Sequence, residues 1–222
     1  MVTHGILYRT FRIRYKTTAG SAFTIEKDDV QYIVTAKHLF EGVKTGNTVL
    51  FEALIEKAYH PITATIYFHN DQSVDCAVLK TNPYREITGK YENENTLEGI
   101  ILSQDVFFLG FPYNYDDLLK SFPNSTTPVP FVKKACLSGI SEKDGVLFLD
   151  GINNPGFSGG PVCFKDIRTN KYKIAGLINS FRFNKSTVFA YDGTATNYYV
   201  QENTGIINAC SIQRVLSIID NI

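Results

Sequence analysis

Short runs in which apolar and polar residues alternate with period two, each bounded by a turn signal, constrain this chain more than any other feature. In the run 11–16 (Phe-Arg-Ile-Arg-Tyr-Lys) the apolar side chains point one way and the cations the other, the pattern of a half-buried strand. Arg12, Arg14 and Lys16 are expected on its solvated face. Further β-rich runs occupy 21–25, 31–36, 48–51, 63–68, 76–80, 106–109, 146–149, 161–164 and 172–178. Turn signals such as Ala19-Gly20, Lys27-Asp28-Asp29, Thr45-Gly46-Asn47 and Lys143-Asp144-Gly145 separate them. Many short strands without helical patterns between them predict an all-β sandwich or barrel rather than an alternating α/β sheet.

One helix is predicted, at the end. Ile212, Val215, Leu216 and Ile219 follow the i, i+3, i+4, i+7 spacing, and Ser211 is placed to cap it. The polar stretch 82–98 reads as the linker between two β subdomains, which gives expected units of 1–95 and 96–209 followed by a packing helix at 210–222. Residues 111–130 carry four prolines and little periodicity, and read as a long loop.

Composition narrows the function classes. A 222-residue chain that is 44% hydrophobic can bury a sizeable core. Twenty-two Lys plus Arg balance 22 Asp plus Glu, so no overall field draws the chain to nucleic acid or to anionic lipid. The first sixteen residues scatter cations among apolar residues where an export signal needs an unbroken apolar stretch, and no run approaches membrane-spanning length. Cys76, Cys136, Cys163 and Cys210 stand singly in apolar contexts, which reads as buried thiols in a reducing compartment. A cytoplasmic protein without membrane or nucleic-acid partners is the expectation.

The chemistry is concentrated in Asn154-Pro155-Gly156-Phe157-Ser158-Gly159-Gly160-Pro161-Val162. Glycines around one serine let the backbone turn tightly and leave amide N–H groups free to face a ligand, although a plain Gly-rich turn would look the same. All four histidines, His4, His38, His60 and His69, precede Ser158, an order that excludes an α/β-hydrolase, whose histidine follows the nucleophile. His38 closes the apolar run 32–36 and would lie at a barrel rim, whereas His60 and His69 sit in loops and His4 near the terminus. Asp75 heads the apolar run 76–80, where a carboxylate needs a partner such as a histidine N–H; Asp71 is the alternative acid. His60, His69, Asp71 and Cys76 lack any recognised metal-ligand spacing, so no metal or cofactor is expected.

Three motifs in order, Thr35-Ala36-Lys37-His38, Asp75-Cys76-Ala77-Val78-Leu79 and Gly156-Phe157-Ser158-Gly159-Gly160-Pro161, resemble those of trypsin-like (chymotrypsin-fold) serine peptidases. Gly20-Ser21-Ala22-Phe23 looks like the strand that opens that fold, and Asn203-Thr204-Gly205-Ile206 is similar to its ending. The resemblance implies two antiparallel β-barrels with a C-terminal helix and a site between the barrels. It also implies that Ser158 attacks an acyl carbon of a polypeptide, that His38 transfers the proton and that Asp75 orients the imidazole. The amides of Gly156 and Ser158 would form the oxyanion hole. An esterase could use the same triad, and a trypsin-fold module that only binds peptides is the alternative to an enzyme.

Phe157 stands where digestive members have an acid that pairs with a newly cleaved N-terminus, and Leu39 where secreted members have a disulfide cysteine. Both departures are similar to the HtrA-like branch, in which the loop 153–157 would be a switch answering to an activating or inhibitory protein partner. By the same resemblance Ile152 falls at the base of the specificity pocket and Ile178-Asn179-Ser180 forms the substrate-pairing strand. Phe181 occupies a position that an open pocket leaves to glycine, so a shallow apolar pocket for small side chains is expected.

Overall fold

The alternating runs become strands that close on themselves. The computed structural model describes residues 2–91, 94–113 and 128–222. Strands β1 (Thr10–Tyr15), β2 (Thr18–Lys27), β3 (Val30–Thr35), β4 (Thr48–Ile55), β5 (Ala58–Phe68) and β6 (Ala77–Thr81) form a closed barrel in the order β1-β2-β3-β6-β5-β4. Tight turns make this possible: between β2 and β3, Asp28 and Asp29 both adopt positive φ, 50° and 61°, as a two-residue hairpin of right-handed twist requires. Phe11, Ile13, Ile33, Phe51, Ile62 and Leu79 fill the interior.

The second half repeats the solution. Strands β8 (Asp105–Gly110), β9 (Phe131–Ser141), β10 (Val146–Asp150), β11 (Pro161–Lys165), β12 (Tyr172–Phe189) and β13 (Ala195–Ser211) pair in the order β11-β8-β9-β10-β13-β12, and pairing of β11 with β12 joins the two ends. The two-residue strand β7 (Glu94–Asn95) adds to β12, so the chain reaches the second sheet by residue 94. Buried Lys173 holds it there, pairing with Glu94 at 2.9 Å and with the enclosed Asp166 at 3.0 Å.

A third cluster lies between the barrels. Phe23, Val34, Cys76 and Val78 of the first half meet Leu109, Cys163, Leu177 and Cys210 of the second. The C-terminal helix α2 (Ile212–Ile219) seals this seam with Ile212, Val215 and Ile219, and the Ser211 side chain accepts from the Gln213 amide as its cap. Each fully buried Ile, Val, Leu or Phe here contributes roughly 1.5–3 kcal/mol, so the seam fixes the barrels' relative placement. The architecture is the chymotrypsin-like one.

Two expectations are corrected. Arg12 is not solvated but buried, because β8 and the short helix α1 (His4–Arg9) lie against β1 where water was expected. Arg14 instead stacks its guanidinium 3.6 Å from the Tyr59 ring centre. Most of the loop expected at 111–130 falls outside the described residues. No helix among those described is long and apolar enough to cross a membrane.

Candidate active site

The end of β3 delivers His38. After Thr35 the strand gives way to a 3-10 turn, Lys37–Phe40, whose Leu39 and Phe40 are buried and whose His38 is left at the rim. Asp75, two residues before β6, holds that histidine at two points. Its Oδ1 accepts from the His38 amide at 2.9 Å and its Oδ2 lies 2.7 Å from His38 Nδ1. With the carboxylate accepting, a neutral His38 ring would carry its proton on Nδ1 and present the Nε2 lone pair. Asp71 does not compete: its carboxylate accepts from the Ser73 amide and hydroxyl at 2.9 and 2.7 Å. Those hydrogen bonds hold its pKa below the usual carboxylate range.

Ser158 arrives from the other barrel, on the turn that leads into β11. Its carbonyl accepts from the Ser21 amide at 2.8 Å, a bond from β2 across the seam. Gly159 must be glycine, because its φ is +84° and a Cβ would stand 2.2 Å from Ser21 O and 2.3 Å from Thr35 Oγ1. The Ser158 hydroxyl donates to the Asn179 carbonyl at 3.2 Å, and no hydrogen bond joins it to His38.

The loop before Ser158 is oriented peptide by peptide. Pro155 O accepts from Tyr113 N at 3.3 Å, and Phe157 O from Gly160 N at 2.9 Å. In a trans peptide the N–H points opposite to the C=O, so the amides of Gly156 and Ser158 are turned away from those partners. Neither amide donates to any group among the described residues. Gly156 also needs its glycine: φ is +103° and a Cβ would lie 2.4 Å from Phe111 O.

Several side chains not expected at the site latch this loop. Ser21 Oγ donates to Gly156 O at 2.7 Å and accepts from Phe111 N at 3.0 Å. Lys133, on β9, donates to the Ile152 carbonyl and to Asn154 Oδ1 at 2.9 Å. Its ammonium also lies 5.8 Å from the ring centre of Phe157, which is buried against Phe108. Partial burial lowers the Lys133 pKa. Asn203 Nδ2 donates to Asn153 O at 2.9 Å, and Asn154 Nδ2 to the Tyr113 hydroxyl at 2.8 Å. Ser21 and Asn203 lie in the segments that resemble the family's opening strand and ending, and Lys133 in no motif; the three come from separate strands, so spacing along the chain does not bring them to this loop.

The expected substrate-facing residues divide. Ile178 cannot pair with substrate through its backbone, because Gly159 N donates to its carbonyl at 2.7 Å and its own amide donates to Gly160 O at 2.9 Å. Its side chain belongs to the second barrel's core. Asn179 lies at Ser158 through its carbonyl, and Ser180 Oγ accepts from Asn208 Nδ2 at 3.2 Å. Phe181 is half-buried opposite Ile207. Ile152 is 53% exposed and so does not form an enclosed pocket floor. The four cysteines are free, with Cys76, Cys163 and Cys210 buried and Cys136 partly exposed; burial pushes the Cys163 thiol pKa up. The Cys210 thiol donates to Ser211 O at 3.7 Å, and Cys210 together with burial pushes the Cys76 thiol pKa up. Among the described residues no cluster of His, Cys, Asp or Glu could hold a metal ion.

Comparison with known proteins places the fold. The family model of the trypsin-like peptidase domain matches residues 20–168. No curated protein matches the chain. Solved structures do, at low identity. Deg5 is 17% identical over 96% of this chain and 88% of its own, with a TM-score of 0.59. The active form of the Rv3671c protease from M. tuberculosis is 16% identical over 97% and 81%, with a TM-score of 0.59. The HtrA-type protease AlgW with a tripeptide is 16% identical over 98% and 60%, with a TM-score of 0.58.

Proposed function

The chain belongs to the trypsin-like peptidase family, and on that premise we propose that it is a serine endopeptidase working through Ser158, His38 and Asp75. The observation that carries this reading is the two-point hold of Asp75 on His38, which fixes the ring with Nε2 free to accept a proton. The Gly20 backbone ties the two halves of the site together: a Cβ there would stand 2.5 Å from Leu39, the neighbour of His38, and 2.9 Å from Ser158 O.

In the first step Ser158 Oγ leaves the Asn179 carbonyl, gives its proton to His38 Nε2 and bonds to the substrate's carbonyl carbon. The Gly156 and Ser158 amides stabilise the oxyanion, each worth roughly 3–4 kcal/mol in sites of this type. His38 then returns the proton to the leaving amine, and water hydrolyses the acyl-enzyme by the same route in reverse. The latches from Ser21, Lys133, Tyr113 and Asn203 support a loop 153–157 that is open to substrate without a partner. The lack of an acid at Ile152 and the presence of Phe181 favour uncharged side chains rather than Arg or Lys.

One observation favours a second reading. The Ser158 hydroxyl donates to Asn179 O and not to His38, as a peptide-binding module silent until a ligand or protein partner turned that side chain would show. Digestion of an unfolded polypeptide by the purified chain separates the two. New internal cleavages that vanish in Ser158→Ala are expected, and retained binding without cleavage would establish the module instead.

A further inference from the structure

Asp75 reaches His38 from the end of a turn, and Lys37 grips that turn at two points. The peptide that joins Lys37 to His38 supplies the amide that donates to Asp75 Oδ1 at 2.9 Å. The Lys37 side chain goes the other way, its Nζ donating to Gln72 O at 3.1 Å and to Gln72 Oε1 at 3.0 Å. One residue therefore spans the segment from Gln72 to Asp75, with an ammonium at its start and a peptide N–H at its end. The ammonium also lies 5.7 Å from the ring centre of Phe68, the last residue of β5, which leads into the same turn.

The turn makes its own shape by bonds that stay within it. His69 Nδ1 accepts from the Asp71 amide at 3.0 Å, Asp71 Oδ1 from the Ser73 amide and hydroxyl, and Asp71 O from the Val74 amide at 3.2 Å. Asp71, Gln72 and Ser73 are exposed, and packing resumes only at Val74 and Cys76 in the seam. Among the described residues, the Lys37 ammonium makes the hydrogen bonds that join this exposed arc to the His38 turn. Without them the Asp75 carboxylate, 2.7 Å from His38 Nδ1, is backed on its N-terminal side by an arc bonded only to itself.

We propose that Lys37 is a positioning residue, which fixes the Asp75 carboxylate against His38 by clamping the turn at Gln72. This rests on the endopeptidase reading. Lys37 acts through Asp75: the bond from Nδ1 must stay aligned while the ring takes the Ser158 proton at Nε2 and gains its charge. A charged donor suits the task, because its bonds to two neutral oxygens are stronger than those of a neutral donor.

The test starts from Lys37→Met, which keeps the stem and removes the donor. With a short peptide ester, which keeps slow variants measurable, kcat should fall roughly ten- to a hundredfold at little-changed KM, and Lys37→Arg should restore most of it. In an Asp75→Asn background, Lys37→Met should change kcat by less than about twofold, because the carboxylate that it positions is gone. Nitrogen-15 shifts of the neutral His38 ring give a readout that needs no catalysis. The parent should hold the proton on Nδ1, and Lys37→Met should show a mixture of both tautomers. Gln72→Met, which removes one of the two acceptors, should shift the ring the same way by less. A parent-like tautomer in Lys37→Met overturns the clamp, as does a loss of kcat as large with Asp75→Asn as without it. If the parent turns over neither ester nor peptide, the endopeptidase reading fails and the tautomer of Lys37→Met alone decides for or against the clamp.

Discussion

The Ser21 amide donates to the Ser158 carbonyl at 2.8 Å, so a strand of the first barrel is bonded to the candidate nucleophile carried by the second. The same residue's hydroxyl donates to Gly156 O. One serine from β2 therefore sets both the position of Ser158 and the tilt of the peptide that follows Gly156. The barrels are joined where the chemistry is proposed to occur, and geometry there is coupled to the seam packing of Phe23, Leu109 and Leu177.

Ser21→Ala keeps the main-chain bond and removes the two made by the hydroxyl. Stability in urea should fall by about 1–3 kcal/mol, because Gly156 O and Phe111 N are left without partners in a packed region. The kcat for a short peptide should fall with little change in KM. A variant as active and as stable as the parent would show that the loop holds its shape without Ser21.

Asp75→Asn retains the shape of the side chain but lets an amide face His38 Nδ1, which favours the wrong tautomer. As in other Ser-His-Asp triads, kcat should drop by about 10⁴-fold. Steady-state cleavage with the parent and variant side by side measures it. Undiminished turnover would mean that another acid holds His38, against the observed Asp75 geometry.

Lys133→Met removes the ammonium from Ile152 O and Asn154 Oδ1 while keeping the side chain's length. Misplacing the loop should lower kcat on the order of 10²-fold, with Lys133→Arg restoring most of it. Burial lowers this lysine's pKa, so the folded chain releases the proton at lower pH than the unfolded one. Stability from this group then rises with pH between the folded and unfolded values, while the loop keeps only a weaker, neutral donor. Activity should therefore fall on the alkaline side before the chain begins to melt, and the fall should move to higher pH in Lys133→Arg. Coincident loss of activity and fold in both proteins would contradict the latch.

Asp166 gives an acid limb to stability. Hydrogen bonds from Arg168, and then from Lys173, hold its carboxyl well below the usual carboxylate range. Its contribution is complete above the unfolded carboxylate pKa and is lost as pH falls toward the depressed folded value. Thermal melting at successive pH values should show Asp166→Asn destabilised at neutral pH but converging on the parent in acid. Parallel curves across the whole range would contradict this role.

Much of the architecture was legible because local signals agree with the global fold. The runs at 31–36, 48–51 and 106–109 are strands, Asp28-Asp29 turns as its residues suggest, and Ser211 caps the helix at Ile212. Strand β9 was not legible: Lys133, Lys134, Ser138 and Gly139 dilute its alternation, and only Ala135 and Leu137 report its buried face. The outer part of β12 and β13 was hidden for a related reason, since a ribbon exposed on both faces has no apolar period to detect. Arg12 shows the converse, a clean alternation whose outward face is covered by another element. At the site, the motifs marked His38, Asp75 and Ser158. Lys133 and Asn203 reach the loop from distant strands, which spacing along the chain does not record.

The most direct measurement is covalent labelling of the purified chain with a fluorophosphonate probe, read by intact mass and peptide mapping with Ser158→Ala alongside. One adduct, mapped to Ser158 and absent from the variant, is the expected result, because an activated hydroxyl and two free amides are what that reagent requires. An unlabelled chain, or an adduct that persists in Ser158→Ala, would contradict the assignment of Ser158, His38 and Asp75 as a working catalytic site.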